Sequence, residues 1–317
     1  MDGATPQSAA SPLPAPLERG AEKAWLSPPT CRGDAGAAAC GGARKATVRG
    51  DEGRRLANDR FLWYAFCARK IRKGPCGVIT LIIPAYNESA ILADTIRQAD
   101  AWLAGAFSDY ELLIVDDGST DGTAEIARAA ASPRVRLISY APNAGKGHAV
   151  REGMRAARGD VIYYTDADLA YGLDVLGTAH EALEASGCDI VLGSRRLDRE
   201  GYAHYPLIRR LASRTFALLA HALSGLPYDT QCGLKGFRRE TGQAVFRHCE
   251  TDRFAFDFEA LMIARRLGCA VTQIPVHIIN HRDSKVNVLK DSVRMFRDVL
   301  RIRRSVNRRA REGVFHD

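Results

Sequence analysis

The sequence predicts an α/β fold, a mostly parallel sheet with helices on both faces. Three observations predict it. From residue 77 onward, short apolar runs alternate with stretches of helical periodicity. The runs are apolar almost throughout, as strands covered on both faces are. The chemistry-bearing residues collect just after the runs, where ligands bind in such sheets.

Each element has its own reason. Residues 78–83, Val-Ile-Thr-Leu-Ile-Ile, read as a buried strand, and 89–103 as the helix that returns from it. Residues 111–115, 135–139, 161–165 and 190–193 repeat the strand signal. Residues 124–131, 147–157 and 173–185 carry the helical period between them. Strand, helix, strand in sequence implies right-handed crossovers. Residues 1–58 hold six of the 13 prolines among Ala, Gly, Ser and Arg, with no periodic apolar residues. Such a segment buries too little surface to offset its ordering entropy, so a disordered tail is expected. Residues 59–76 are aromatic first and basic after, which fits an amphipathic lead-in helix. The domain is expected to span 77–304, with a basic tail at 305–317.

Composition bounds the rest. The chain has 317 residues, 46% apolar and 26% charged, which excludes collagen-like, coiled-coil and wholly disordered classes. Lys and Arg number 45 against 37 Asp and Glu, a net charge of +8 that suits an anionic partner. No nucleic-acid-binding motif is present, and the arginines cluster toward the ends, so nucleic acid is not expected. No apolar run approaches the ~18–20 residues that span a bilayer. The eight cysteines form no CxxC pair, which favours reduced thiols and a cytoplasmic location.

The strand ends carry the chemistry. After the first come Pro84, Ala85, Tyr86, Asn87, Glu88 and Ser89. Asn87 or Ser89 can cap the next helix, whereas Pro84 and Tyr86 can wall a flat base. After the second comes Asp116-Asp117-Gly118-Ser119-Thr120-Asp121, either a polar turn or acids that accept hydrogen bonds from a base or a ribose. Gly145-Lys146-Gly147 opens a helix and can set amides and an ammonium beside an anion. The fourth strand ends in Asp166-Ala167-Asp168. If the chain stays extended there, both carboxylates point to one side. Two unit charges about 4 Å apart repel by about 4 kcal/mol at an effective dielectric near 20. Mg²⁺ or Mn²⁺ between such carboxylates and a diphosphate reverses that sign.

These motifs, with Asp229-Thr230-Gln231-Cys232-Gly233-Leu234-Lys235-Gly236-Phe237, Arg253–Glu259 and Ser284-Lys285-Val286-Asn287, resemble family 2 inverting glycosyltransferases of the Rossmann-like GT-A fold. Within that family they are most similar to the dolichyl-phosphate glucosyltransferase branch. The resemblance covers about residues 77–304. It implies a nucleotide-sugar donor, UDP-linked rather than GDP-linked, and a polyprenyl phosphate acceptor. By matching position it implies that Pro84, Tyr86, Glu88 and Asp116 hold the nucleoside. Asp166, Ala167 and Asp168 would serve the diphosphate and metal, with Lys146 and Arg195 near the donor. An ionised phosphate acceptor needs cations more than a base. Lys235, Arg282 and Lys285 are the candidates to hold it, and Asp229 and Asp257 are the candidate bases should the acceptor be a hydroxyl. Asp257 and Glu259 also fit a helix start, where they would cap. Basic amphipathic helices at 205–226 and about 289–304 fit either an anionic membrane or a docked face on the acceptor side. The expected placement is peripheral, on the cytoplasmic membrane face. The alternatives are a transferase with a soluble natural-product or nucleoside acceptor, a nucleotidyltransferase, and a nucleotide-sugar binder without turnover.

Overall fold

Strands β1 (Ile79–Ala85), β2 (Tyr110–Asp117), β3 (Val135–Tyr140), β4 (Val161–Tyr164), β5 (Ile190–Ser194), β6 (Lys235–Arg238) and β7 (Val271–Pro275) form one sheet in the order β3-β2-β1-β4-β6-β5-β7. The computed structural model describes residues 77–198, 225–280 and 288–315. The expected tail at 1–58, the lead-in helix at 59–76, most of 205–226, and both Arg282 and Lys285 lie outside the described residues. Helices α1 (Ser89–Ala106), α2 (Thr123–Ala129), α3 (Lys146–Ala156) and α4 (Asp174–Ser186) join the first five strands, as the alternation of periods predicts. Beyond them come α5 (Arg239–Arg247), α6 (Phe256–Arg266) and α7 (Val288–Arg311).

All strand pairs are parallel except those of β6, which runs antiparallel between β4 and β5. Both faces are covered. Leu92, Ile96 and Leu103 of α1 pack with Leu176 and Leu183 of α4 on one side. Val150 and Met154 of α3 pack with Val245, Phe246, Phe256 and Ile263 of α5 and α6 on the other. The chain leaves β1 toward β2 on one side and returns later to β4 on the other. The order therefore reverses between β1 and β4, the place where open α/β sheets bind ligands.

The ladder makes a notch there. β4 pairs with β1 only as far as Tyr164 opposite Ile82, while β1 continues beside β2 to Ala85 opposite Asp116. The loop after β4 starts lower than its neighbours, held by Thr165 N–H donating to the Ile82 carbonyl at 3.2 Å.

The expected boundary at residue 304 needs correction. Helix α7 runs on to Arg311, and Val299, Ile302 and Val306 form a buried stripe that continues to Phe315. The stripe recurs at three- and four-residue spacing, so it docks α7 on its own domain. Arg309 follows it into the interior and pairs with Glu259 at 3.0 Å. Truncation after residue 304 would remove one member of a buried pair, a loss of about 3–5 kcal/mol. Thermal unfolding is expected to fall by about 10 °C. An unpacked tail would leave it unchanged.

Candidate active site

The loops that follow β1 and β2 are stitched together. The Asn87 amide donates to Ser119 Oγ at 2.9 Å, and Asn87 Oδ1 accepts from the Thr120 amide at 2.9 Å. Asp121 accepts from the Ser89 amide and hydroxyl at 3.2 and 2.8 Å. The Glu88 amide donates to Thr123 Oγ1 at 2.9 Å. The expected caps are thus corrected: neither Asn87 nor Ser89 caps α1 with its side chain, and Asp121 of the neighbouring loop takes the Ser89 amide instead. Hydrogen bonds from Thr123 and Ser89 hold the Asp121 carboxyl down at about 2. Its contribution is present above the ordinary carboxylate pKa and lost as pH falls toward 2. Asn87 occupies the left-handed region at φ 54°, a conformation Asn tolerates better than most residues.

The two acids at the end of β2 have different partners. Asp116 is 1% exposed and accepts from Ser139 Oγ at 2.7 Å and the Ser119 amide at 3.2 Å. Asp117, to which the resemblance assigns no role, accepts from Asn143 Nδ2 at 2.7 Å and from the Ala144 and Gly145 amides at 2.8 Å. The amides at the start of α3 are also spent: Gly147 and His148 N–H donate to the Asp252 carbonyl at 2.7 and 3.2 Å. The expectation that these amides cradle an external anion is therefore corrected. Lys146 Nζ donates to Asp166 Oδ1.

Asp166-Ala167-Asp168 lies in a turn, because β4 stops at Tyr164. The condition that the chain stays extended there is not met, and Leu169 takes φ 48° just beyond. The two carboxylates still share one field. Burial raises Asp168, and the charges of Asp166 and Glu88 add to the rise. Burial also opposes the Asp166 charge, but Lys146 beside it, with Lys235 and Arg195 behind, holds that carboxyl below its ordinary value. The turn is braced from three sides. Thr95 Oγ1 of α1 donates to the Ala167 carbonyl at 2.7 Å, Asn280 Nδ2 to the Asp168 carbonyl at 3.1 Å, and a Cβ on Gly233 would collide with the Asp166 carboxylate. Sequence reasoning missed Thr95, Gly233 and Asn280, whose roles arise only from contacts distant in sequence.

Of the remaining predicted residues, Arg195 and Lys235 lend positive charge to this turn. Tyr86 follows β1 and is 46% exposed, whereas Pro84 is a β1 residue opposite Val115. Arg195 follows β5 and clasps Asp229 through Nε and a terminal nitrogen, both at 3.0 Å, with its own amide on the same carboxylate at 3.1 Å. Burial opposes the Asp229 charge, yet the Arg195 bonds outweigh it and hold the carboxyl low. Lys235 corrects its expected role as an open phosphate holder. It is 0% exposed, with Nζ 2.7 Å from Asp257 and 2.6 Å from the Cys232 carbonyl. Asp257 also accepts from Tyr164 Oη at 2.7 Å. Neither Asp257 nor Glu259 caps α6 with its side chain.

The arrangement fits a divalent cation. Asp166 and Asp168 supply hard oxygen donors, and Asp168 is raised by burial first and by the Asp166 charge second, a repulsion that a cation relieves. Among the described residues no cluster of three His, Cys, Asp or Glu side chains can enclose a metal. Water and substrate phosphate would have to complete the shell.

The doubly wound sheet, with an aspartate pair and a paired lysine at its switch point, agrees with the GT-A glycosyltransferase class that the motifs resemble. The chain belongs to glycosyltransferase family 2, whose model, Glycosyl transferase family 2, matches residues 80–246. It is 31% identical over 241 residues to the dolichyl-phosphate beta-glucosyltransferase of Dictyostelium discoideum, covering 71% of this chain and 73% of that one. It is 32% identical over 247 residues to the dolichyl-phosphate beta-glucosyltransferase of Homo sapiens, covering 72% and 76%. Among solved structures, glucosyl-3-phosphoglycerate synthase from Mycobacterium tuberculosis in complex with uridine-diphosphate shares the fold. Its TM-score is 0.55 at 22% identity, over 73% of this chain and 80% of that one.

Proposed function

We propose that the chain transfers glucose from UDP-glucose to a polyprenyl phosphate of the dolichyl type, with inversion at the anomeric carbon, aided by Mg²⁺ or Mn²⁺. The observation that carries this reading is the state of the two candidate bases. Asp229 is clasped by Arg195, and Asp257 is held between Lys235 and Tyr164. Neither is placed to take a proton, which suits an acceptor that arrives already ionised. The names of the two relatives agree with a lipid phosphate acceptor.

The residues divide the work. Tyr86 offers a flat face for the base of the donor, and the stitched loops hold that face in place. Asp166 and Asp168 would hold the cation, which offsets the charge that develops on the leaving diphosphate. Lys146 adds a second positive charge from the α3 side, and Asp229 keeps Arg195 directed toward the same pocket. Orientation of donor and acceptor supplies the remainder of the barrier reduction.

Contact with a membrane surface belongs to the same reading. No helix among the described residues is long and apolar enough to cross a membrane. Large apolar side chains are exposed along the carboxyl edge of the sheet: Leu197 after β5, Ile279 after β7, and Phe254 beside the start of α3. A lipid acceptor reaches its phosphate into the notch most directly if that edge meets the bilayer interface.

The test measures nucleoside diphosphate release by purified protein with Mg²⁺ or Mn²⁺ across UDP- and GDP-sugars, with and without polyprenyl phosphate. The expected result is release from UDP-glucose that requires the lipid. Lipid-independent release driven by a small hydroxyl compound would replace this reading with a soluble acceptor. Pyrophosphate release would replace it with nucleotidyl transfer.

A further inference from the structure

Lys146 reaches Asp166 from the first residue of α3, and the start of α3 is held by the loop 250–255. The Asp252 carbonyl receives the Gly147 and His148 amides. Its carboxylate receives Arg151 at 2.5 Å. The two glycines that flank Lys146 admit this loop against the backbone. A Cβ on Gly145 would stand 2.5 Å from the Asp252 carbonyl oxygen, and one on Gly147 would collide with that of Thr251.

That loop is in turn fixed by a buried carboxylate. Glu259 Oε2 accepts the Glu250 and Thr251 amides at 2.9 and 2.6 Å. Its other oxygen receives Arg309 at 3.0 Å. Arg309 comes from the last helix and is 8% exposed. It also donates to the His248 carbonyl at 2.7 Å and lies 3.1 Å from Glu250. One guanidinium therefore grips both the start of the loop and the carboxylate that shapes it.

We propose that Arg309 is a positioning residue for the donor site, acting through Glu259 and the loop 250–252 to set Lys146 against Asp166 and the donor diphosphate. This rests on the reading of the notch as a nucleotide-sugar site. A tether of this kind specifies geometry beyond what the ion pair adds to stability, because Glu259 spends its second oxygen on two amides of the loop that caps α3. It ties Arg309 of the last helix to the donor site without contact between Arg309 and substrate.

The test is a double-mutant cycle read by UDP binding with Mn²⁺, using titration calorimetry at a temperature well below every unfolding midpoint. Arg309→Met is expected to weaken UDP binding about 10-fold in the native background, the range of coupled neighbours. In a Lys146→Ala background the same substitution is expected to cost less than about 2-fold, since the group being positioned is gone. Equal losses in the two backgrounds would overturn the proposal by assigning Arg309 a general structural role. So would unchanged UDP binding in Arg309→Met. Should Arg309→Met fail to fold, Arg309→Lys takes its place in the cycle. It keeps the charge beside Glu259 but cannot grip both His248 and Glu259, and the same two outcomes decide. Native protein that binds no nucleoside diphosphate would overturn the site reading instead, which separates the two failures.

Discussion

Asp168→Ala is expected to lower nucleoside diphosphate release about 1,000-fold while leaving the thermal midpoint unchanged or slightly raised. The activity loss follows from the proposed role of Asp168 in holding the cation. A bound cation supplies several kcal/mol of transition-state charge stabilisation, and each 1.36 kcal/mol is tenfold in rate. The midpoint follows from the electrostatics of the fold. Burial, then Asp166, then Glu88 raise the Asp168 carboxyl above its ordinary value. A carboxyl whose folded pKa is raised opposes folding at neutral pH, so removing its charge relieves the native state. Function and stability then move apart, as expected where a site stores like charges for a ligand. Steady-state assay beside a thermal melt checks both halves. A midpoint that falls in step with activity would make Asp168 a structural residue.

The second large effect is on stability. Asp257→Ala is expected to lower the midpoint by about 10 °C or more, because it leaves Lys235 as an uncompensated charge in the interior. Breaking such a pair costs about 3–5 kcal/mol, and a domain of this size loses about 2–4 °C per kcal/mol. The paired substitution Lys235→Met with Asp257→Asn removes both charges and leaves Asn to accept from Tyr164. It is expected to recover most of the loss. The same variant decides the catalytic question. Turnover within about tenfold of native leaves Asp257 as structure, whereas a loss of the 10²–10⁴-fold typical of a general base would make it the base.

Much of this was legible in the sequence. Strands buried on both faces leave apolar runs that stand out, so β1 to β5 and the helices between them follow from periodicity. The Asp166-Ala167-Asp168 motif stands out only by its place just after a buried strand. β6 does not, since its four residues, Lys-Gly-Phe-Arg, carry a charge at each end. Lys235 looks like a surface cation until Tyr164 and Asp257 close over it from other elements, and no local pattern records that closure. Asp229 was readable as an acid at the site but not as the partner of Arg195, 34 residues earlier. The run Arg308-Arg309-x-Arg311 disguised the end of α7 as a basic tail. The signal that corrects it is the stripe Val299, Ile302, Val306, which carries Arg309 inward on the next turn.

The proposed mechanism turns on an acceptor that is ionised before it binds. The decisive comparison sets polyprenyl phosphate against the matching polyprenol as acceptor for UDP-glucose at saturating Mn²⁺, in native protein and in Asp229→Asn. Transfer to the phosphate alone is expected. Transfer to the free alcohol at a comparable rate, lost in Asp229→Asn, would overturn it.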